Sequence, residues 1–161
     1  MMKRWFIFFL IFFGGWQLHA QTMEEKVTAY LETFLSENKS HISESELFET
    51  QWLTSDIMGR SQINFLQNFK FKRENAGFQA NSSKVKGRWY VNNEFIVLEK
   101  KKEKTPLYVL QNGKAVILVD DDQIDVLRQL LTEASYKDGT LKPYSYSEIF
   151  TFLNGFTLQI E

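Results

Sequence analysis

Aspartate residues form the densest group of chemically competent side chains in this sequence. Asp120, Asp121 and Asp122 are consecutive, and Asp125 follows three positions later. Calcium takes about six to eight oxygen ligands, many of them carboxylates. A calcium loop alternates its acidic residues with others and includes a glycine, and this run does neither. The pattern favours a strand end followed by the first turn of a helix, where acidic residues offset the positive end of the helix dipole.

The sequence gives little support for nucleophilic catalysis, for metal binding or for catalysis by paired carboxylates. The chain has no cysteine, and its two histidines are His19 and His41. His41 lies in a polar stretch that we expect to face solvent, so we predict neither a Ser-His-acid triad nor a metal site. Glu94, Glu99 and Asp120 could supply the facing carboxylates of a glycosidase, but any acid-rich domain offers such a pair. We therefore predict no enzyme and no cofactor.

Aromatic side chains give the best indication of a ligand site. Of the 25 aromatic residues, 18 follow residue 20. Those at alternate strand positions are expected to point into the fold, and apolar pockets with a few polar groups are the usual ligand sites. The candidate ligand-binding residues are Trp52, Phe65, Phe69, Phe71, Trp89 and Tyr108. A filled core would use the same residues, so the sequence leaves a hollow and a filled interior open.

The first twenty residues have the layout of a secretory signal peptide. Lys3 and Arg4 precede an almost wholly apolar run over residues 5–15, and Ala20 provides a small residue for cleavage. A transmembrane anchor is the alternative, but a spanning helix needs about 20 apolar residues and this run is shorter. We predict cleavage after Ala20, no stable membrane anchor afterwards, and a periplasmic or secreted protein.

The remaining residues, 21–161, fit one domain without disulfides. They carry 17 basic and 20 acidic residues, a net charge of −3. A nucleic-acid-binding protein would show a basic patch or stripe, so nucleic acid is not an expected partner.

Two helices and many short strands follow from the residue pattern. Thr22 and Glu25 form a capping box ahead of a helix predicted over residues 23–37. A β meander is predicted over about residues 49–119, and a helix capped by Asp122 over residues 123–135. A C-terminal hairpin is predicted over about residues 148–160, with a short helix over 147–153 as the alternative.

Within the meander, alternation and turn residues define the strands. Ile63, Phe65, Phe69 and Phe71 alternate with polar residues and predict one half-buried strand. Turns are predicted at residues 75–77, at Asn92-Asn93 and at Asn112-Gly113, and Lys100 to Lys104 reads as a solvated hairpin tip. The count of about eight strands predicts a mainly β fold with accessory helices, namely an antiparallel up-and-down meander closed as an eight-stranded barrel.

Four segments of the meander follow a recurring scheme of Gly-x-Trp, a turn, an apolar strand, a Tyr-bearing strand and a closing strand before Asp residues. They are Gly87-Arg88-Trp89-Tyr90-Val91, Phe95-Ile96-Val97-Leu98, Tyr108-Val109-Leu110 and Ala115-Val116-Ile117-Leu118. In this scheme, over about residues 45–120, the chain resembles the small lipocalin-like proteins exported by bacteria. The resemblance implies an up-and-down barrel that binds small apolar molecules or serves as a scaffold.

Two functions are therefore expected from the sequence. The first is an exported, non-enzymatic protein that holds a small apolar or amphipathic ligand in the barrel. The second is a structural or protein-interaction module with a filled barrel and a protein partner.

Overall fold

A computed structural model describes residues 21–56, 59–77, 82–92, 95–141 and 144–159. The predicted signal peptide lies outside these residues, as do residues 57–58, 78–81, 93–94, 142–143 and 160–161. The described chain forms eight strands, four α-helices and one turn of 3₁₀-helix at Gln67–Phe69. The strands are β1 (Thr50–Asp56), β2 (Gly59–Leu66), β3 (Lys70–Gly77), β4 (Ser82–Asn92), β5 (Phe95–Lys100), β6 (Glu103–Asn112), β7 (Ala115–Asp120) and β8 (Phe156–Leu158). The helices are α1 (Met23–Glu37), α2 (Glu44–Leu47), α3 (Asp121–Asp138) and α4 (Tyr146–Leu153).

The strands form a closed barrel in which each strand pairs with the next one along the chain. All pairs are antiparallel, which short connections allow. β8 closes the barrel by pairing with both β1 and β7. The predicted fold class, an eight-stranded up-and-down antiparallel barrel with accessory helices, is confirmed.

Alternation along the strands separates two hydrophobic cores. On β6, Leu107 and Val109 belong to the core inside the barrel, whereas Leu110 belongs to a core outside it. The outer core is formed by α1, α3 and α4 against β6 and β7. α1 packs against α3, and α3 packs against α4. The helices therefore cover one side of the barrel and leave the other side to solvent-facing strand residues.

The capping signals position the helices. α1 spans the predicted residues, with the reciprocal capping box of Thr22 and Glu25. α3 is longer than predicted, and its N-cap is Asp120 rather than Asp122, because the Asp120 carboxylate accepts the Gln123 backbone N–H. It ends at Gly139, whose φ of 68° a glycine adopts without strain.

Three predictions about local structure are wrong. The alternation from Ile63 to Phe71 is interrupted by a tight turn, so that Phe65 pairs with Phe71 across β2 and β3. Apolar residues occupy odd-numbered positions on both sides of the turn, so the alternation does not reveal the turn. Residues 75–77 belong to β3 rather than to a turn.

The third correction concerns the C-terminal segment. Residues 148–153 belong to α4 instead of the first strand of a hairpin, because Ser145 and Glu148 form a capping box. Only β8 remains of that hairpin. The total of eight strands still holds, because the strand lost at α4 is offset by the division of one predicted strand into β2 and β3.

Candidate ligand-binding site

Four of the six predicted ligand-binding residues meet inside the barrel. Trp52, Phe65, Phe71 and Trp89 are at most 3% exposed and belong to the inner core. The Trp52 indole N–H donates to the Thr50 hydroxyl at 3.0 Å, so its polar atom has a partner within the protein. These rings pack among aliphatic side chains and fill their part of the interior.

An aromatic cluster closes one end of the barrel around Trp89. The rings of Phe48, Phe65 and Phe69 lie 5.2–5.4 Å from the Trp89 ring. Phe69 sits in the turn between β2 and β3 with φ of 56°, and its side chain is 40% exposed. Positive φ is unfavourable for a bulky side chain, so its contacts with Trp89 and Phe48 offset a local strain. Phe69 is therefore the outer cover of this end.

Tyr108 lies apart from the other predicted residues. Its neighbours Leu107 and Val109 face the barrel interior, and Tyr108 faces the helices, with Phe95 in edge-to-face contact at 4.9 Å. Burial, followed by the negative charge of Asp121, raises the pKa of the Tyr108 hydroxyl above its ordinary value. The structure therefore does not bring Tyr108 into the same pocket as Trp89.

An opening into the barrel interior lies at the opposite end from Trp89. It is a cavity of about 410 Å³ between the ends of β1 to β3, the start of α3 and the end of α4. We name it the open-end cavity; its polar lining includes Thr54, Ser61, Arg73, Asn75, Asp120 and Gln123, and its apolar lining includes Val126, Phe152, Leu153 and Phe156. A smaller cavity of about 250 Å³ shares Arg73, Asn75 and Asp122 with it. Of the predicted ligand-binding residues, Phe71 lines the smaller cavity, whereas Trp52 and Trp89 line neither.

An ion pair crosses the interior beside the open-end cavity. The Arg73 Nη2 atom lies 2.9 Å from Oδ2 of Asp120. β3 and β7 lie on opposite sides of the barrel, so this contact spans the lumen. The side chain of Asp120 is 2% exposed and that of Arg73 is 22% exposed. The Arg73 guanidinium also stacks over the Phe156 ring at 5.3 Å, which places an apolar surface on its other side.

Asp120 serves two partners at once. Its Oδ2 accepts from Arg73, while its Oδ1 accepts the Gln123 backbone N–H at 3.0 Å as the N-cap of α3. An arginine commonly pairs with a carboxylate through two parallel hydrogen bonds. Here the second carboxylate oxygen is taken by the helix, and the buried Nε of Arg73 has no partner among the described residues. The guanidinium therefore keeps hydrogen-bonding capacity beyond its contact with Asp120.

A further network fixes the wall of the cavity. The Asn154 carbonyl accepts from the Thr54 hydroxyl at 2.6 Å and from Gln123 Nε2 at 2.7 Å. The Ser61 hydroxyl donates to Asn75 Oδ1 at 2.5 Å. Because these groups are bonded to each other, the polar wall is preorganised rather than free to collapse inward.

Charges around the two cavities cancel. The open-end cavity is lined by Arg60 and Arg73 and by Asp120 and Asp122. The smaller cavity again has two basic and two acidic residues, with Lys100 and Glu103 joining Arg73 and Asp122. Asp122 forms no ion pair with another described residue. It is thus an unpaired carboxylate at the place where the two cavities meet.

Apart from Asp120 and Asp122, which the sequence analysis considered only as carboxylates and helix-capping residues, the residues of the open-end cavity were not predicted, although a signal existed. Ser61 shares strand parity with Ile63 and Phe65, and Arg73 shares it with Phe71. Polar residues on the inward face of a strand are unexpected in a filled core. Polar residues at inward-facing positions therefore indicate the polar end of the barrel.

The remaining candidate residues lie in the strand, helix and turn positions that the sequence pattern predicts. Asp120, Asp121 and Asp122 form a strand end and helix start, as predicted. His41 is exposed, and Lys101 and Lys102 form the tip between β5 and β6. Glu94 lies outside the described residues. Within the described ranges, no group of His, Cys, Asp or Glu has the arrangement of a metal site.

Fold and site together define a closed eight-stranded antiparallel β-barrel with accessory helices, consistent with a lipocalin-like fold. In comparisons with protein-family models, curated proteins and solved structures, nothing matches this chain. Among the described residues, none of the helices combines the length and the apolar character needed to span a bilayer.

Proposed function

We propose that this chain is an exported, non-enzymatic binding protein that holds a small amphipathic molecule in the open-end cavity. The observation that carries the proposal is the cavity itself, with a volume of about 410 Å³ at the mouth of the barrel. Pockets for small ligands commonly enclose about 300–1,000 Å³. An eight-stranded barrel is about wide enough to hold one small ligand.

The distribution of polarity in the cavity favours an amphipathic occupant. Arg73 and Asp120 lie on the inner side, where the barrel interior begins. Val126 and Phe152 lie on the helices at the rim and are 64% and 37% exposed. A polar group directed inward and an apolar group held by the rim would bury this exposed apolar surface.

Export is supported by the sequence of residues 1–20, which has the order of a signal peptide. The absence of cysteine means that the exported chain would depend on its two hydrophobic cores for stability. Both cores are extensive enough for a rigid scaffold around the cavity.

Fluorescence titration with N-phenyl-1-naphthylamine tests the proposal. This uncharged aromatic probe brightens on entering an apolar site, and we expect saturable binding to residues 21–161. Val126→Glu replaces an exposed apolar side chain of the rim with a charged one and should weaken binding about tenfold, because the bound probe would lose apolar contact and partly desolvate the new charge. Tyr136→Glu is the control, since Tyr136 is 60% exposed on the same helix and does not line the cavity. Absence of saturable binding, or equal loss in both variants, would refute the proposed site.

An interaction module remains the second candidate, because several apolar side chains on the helices are exposed. Val126, Leu130 and Tyr136 are 38–64% exposed on α3, and Phe152 is 37% exposed on α4. Clustered exposed apolar residues mark interaction surfaces. Sedimentation velocity of the purified protein tests self-association through this face. A dimer that Leu130→Glu dissociates would favour this candidate, and a monomer at all concentrations would count against it.

A further inference from the structure

We infer that the open-end cavity selects an uncharged ligand whose polar group is an amide or a similar carbonyl, and discriminates against a carboxylate of the same length. This inference rests on the proposed function and specifies the ligand class of that site. It follows from how the charges of Arg73, Asp120 and Asp122 are arranged.

Of the two arginines that line the open-end cavity, Arg73, whose side chain crosses the barrel interior, is already compensated. Asp120 is almost fully buried and holds Arg73 through a charge-assisted hydrogen bond of 2.9 Å. A ligand carboxylate at Arg73 would bring a second negative charge to the same guanidinium. Removing that charge from water without a counterion of its own is unfavourable, so a free acid gains little from this arginine.

An uncharged carbonyl can accept from the Arg73 donors that Asp120 does not engage. The Arg73 side chain is 22% exposed and has guanidinium donors beyond the Nη2 that contacts Asp120, so a carbonyl oxygen can accept from it without adding charge. The carboxylate of Asp122, which is exposed to solvent and has no ion-pair partner among the described residues, lines the same cavity and can accept a ligand N–H. A primary amide carries an acceptor and donors on adjacent atoms, which complements a guanidinium and a carboxylate on one cavity wall.

The neutral balance extends beyond these three residues. Both cavities carry two basic and two acidic side chains, so neither has an excess of positive charge that would attract an anion. The preorganised neighbours Ser61, Asn75 and Thr54 are uncharged. Selectivity therefore depends chiefly on Asp122, the one carboxylate of the open-end cavity without an ion-pair partner among the described residues.

A matched pair of ligands tests the inference. Octanamide and octanoate have the same chain and nearly the same head shape, and only octanoate is charged near pH 7. Each is titrated by calorimetry into residues 21–161 and as a competitor of bound N-phenyl-1-naphthylamine. We expect octanamide to bind at least about tenfold more tightly, since like charges facing each other in a binding site are strongly unfavourable.

Two variants assign the selectivity to this site. Asp122→Asn removes the unpaired carboxylate and should reduce the preference for octanamide to about threefold or less. Asp125→Asn is the matched control, because Asp125 lies on the same helix, pairs with Arg128 and does not line either cavity. It should leave the preference unchanged.

The outcomes separate the inference from the proposed function. Binding of the fluorescent probe combined with equal or tighter binding of octanoate, or with no displacement by either ligand, would overturn the inference and leave the binding function intact. A preference for octanamide that Asp122→Asn does not change would also overturn it. Failure of the fluorescent probe to bind would refute the proposed function itself.

Discussion

Substitutions at Asp120 separate the two roles of its carboxylate, as counterion of Arg73 and as N-cap of α3. Asp120→Asn keeps an oxygen that can cap the helix but leaves Arg73 without its counterion. Breaking a buried ion pair by removing one partner costs about 3–5 kcal/mol. Because Arg73 is 22% exposed, we expect the low end, a loss of about 3 kcal/mol in the free energy of unfolding.

Asp120→Ala removes both roles. Loss of an N-cap costs about 1 kcal/mol, so the expected total is about 4 kcal/mol. The double substitution Arg73→Met with Asp120→Asn removes both charges and keeps the cap. Replacing both members of a buried pair is often nearly neutral, so it should lie within about 1 kcal/mol of the unsubstituted protein.

Urea unfolding followed by tryptophan fluorescence measures these differences. Residues 21–161 contain only Trp52 and Trp89, and both are buried in the barrel core, so the signal reports on the barrel. An Asp120→Asn loss below about 0.5 kcal/mol would show that the ion pair contributes nothing, contrary to the reasoning from burial. A double variant no more stable than Asp120→Asn would equally contradict it, because the unpaired arginine would then not be the cause.

Three further predictions concern the core, a close approach and a partly buried hydroxyl. Trp89→Ala should lower the free energy of unfolding by about 3–5 kcal/mol in the same urea assay, because the ring is 1% exposed. Gly87→Ala should destabilise more than Gly113→Ala, since an added Cβ at Gly87 would overlap the Glu99 carbonyl oxygen, whereas one at Gly113 meets open space and costs only the strain of a positive φ; equal melting temperatures would contradict this. Burial raises the pKa of Tyr30, so the folded state holds that proton more tightly and stability should fall as pH rises above about 10. Tyr30→Phe should flatten that decline, and an unchanged slope in urea unfolding at alkaline pH would refute the assignment.

Much of the fold could be predicted because local signals agree with the tertiary structure. The capping box at Thr22 and the Asn112-Gly113 turn each fix a backbone geometry through neighbouring residues. The turn at Asn68 and Phe69 could not be recognised in this way. Two consecutive non-glycine residues adopt positive φ there, and packing of Phe69 on Trp89 stabilises a turn that its residue types do not favour.

The candidate site was harder to predict than the fold for a different reason. Its residues come from four distant parts of the chain, represented by Thr54, Arg73, Asp120 and Asn154, and only barrel closure brings them together. The aromatic residues were correctly expected to be buried in the case of Trp52 and Trp89, but burial alone does not distinguish a core from a pocket wall. Inward-facing polar residues carry that information, and they are recognisable only once the strand register is known.

The short closing strand has a consequence for how the molecule is made. β8 has three residues, and Thr157 contacts Leu53 across 104 positions of sequence. Long-range pairing of this kind forms late, since the chain between the partners must be ordered first. During synthesis, the edge of β1 that pairs with β8 therefore stays unpaired until β8 has been made. An incomplete chain that ends before Phe156 would present two unpaired strand edges, β1 and β7, and would be prone to join other chains edge to edge.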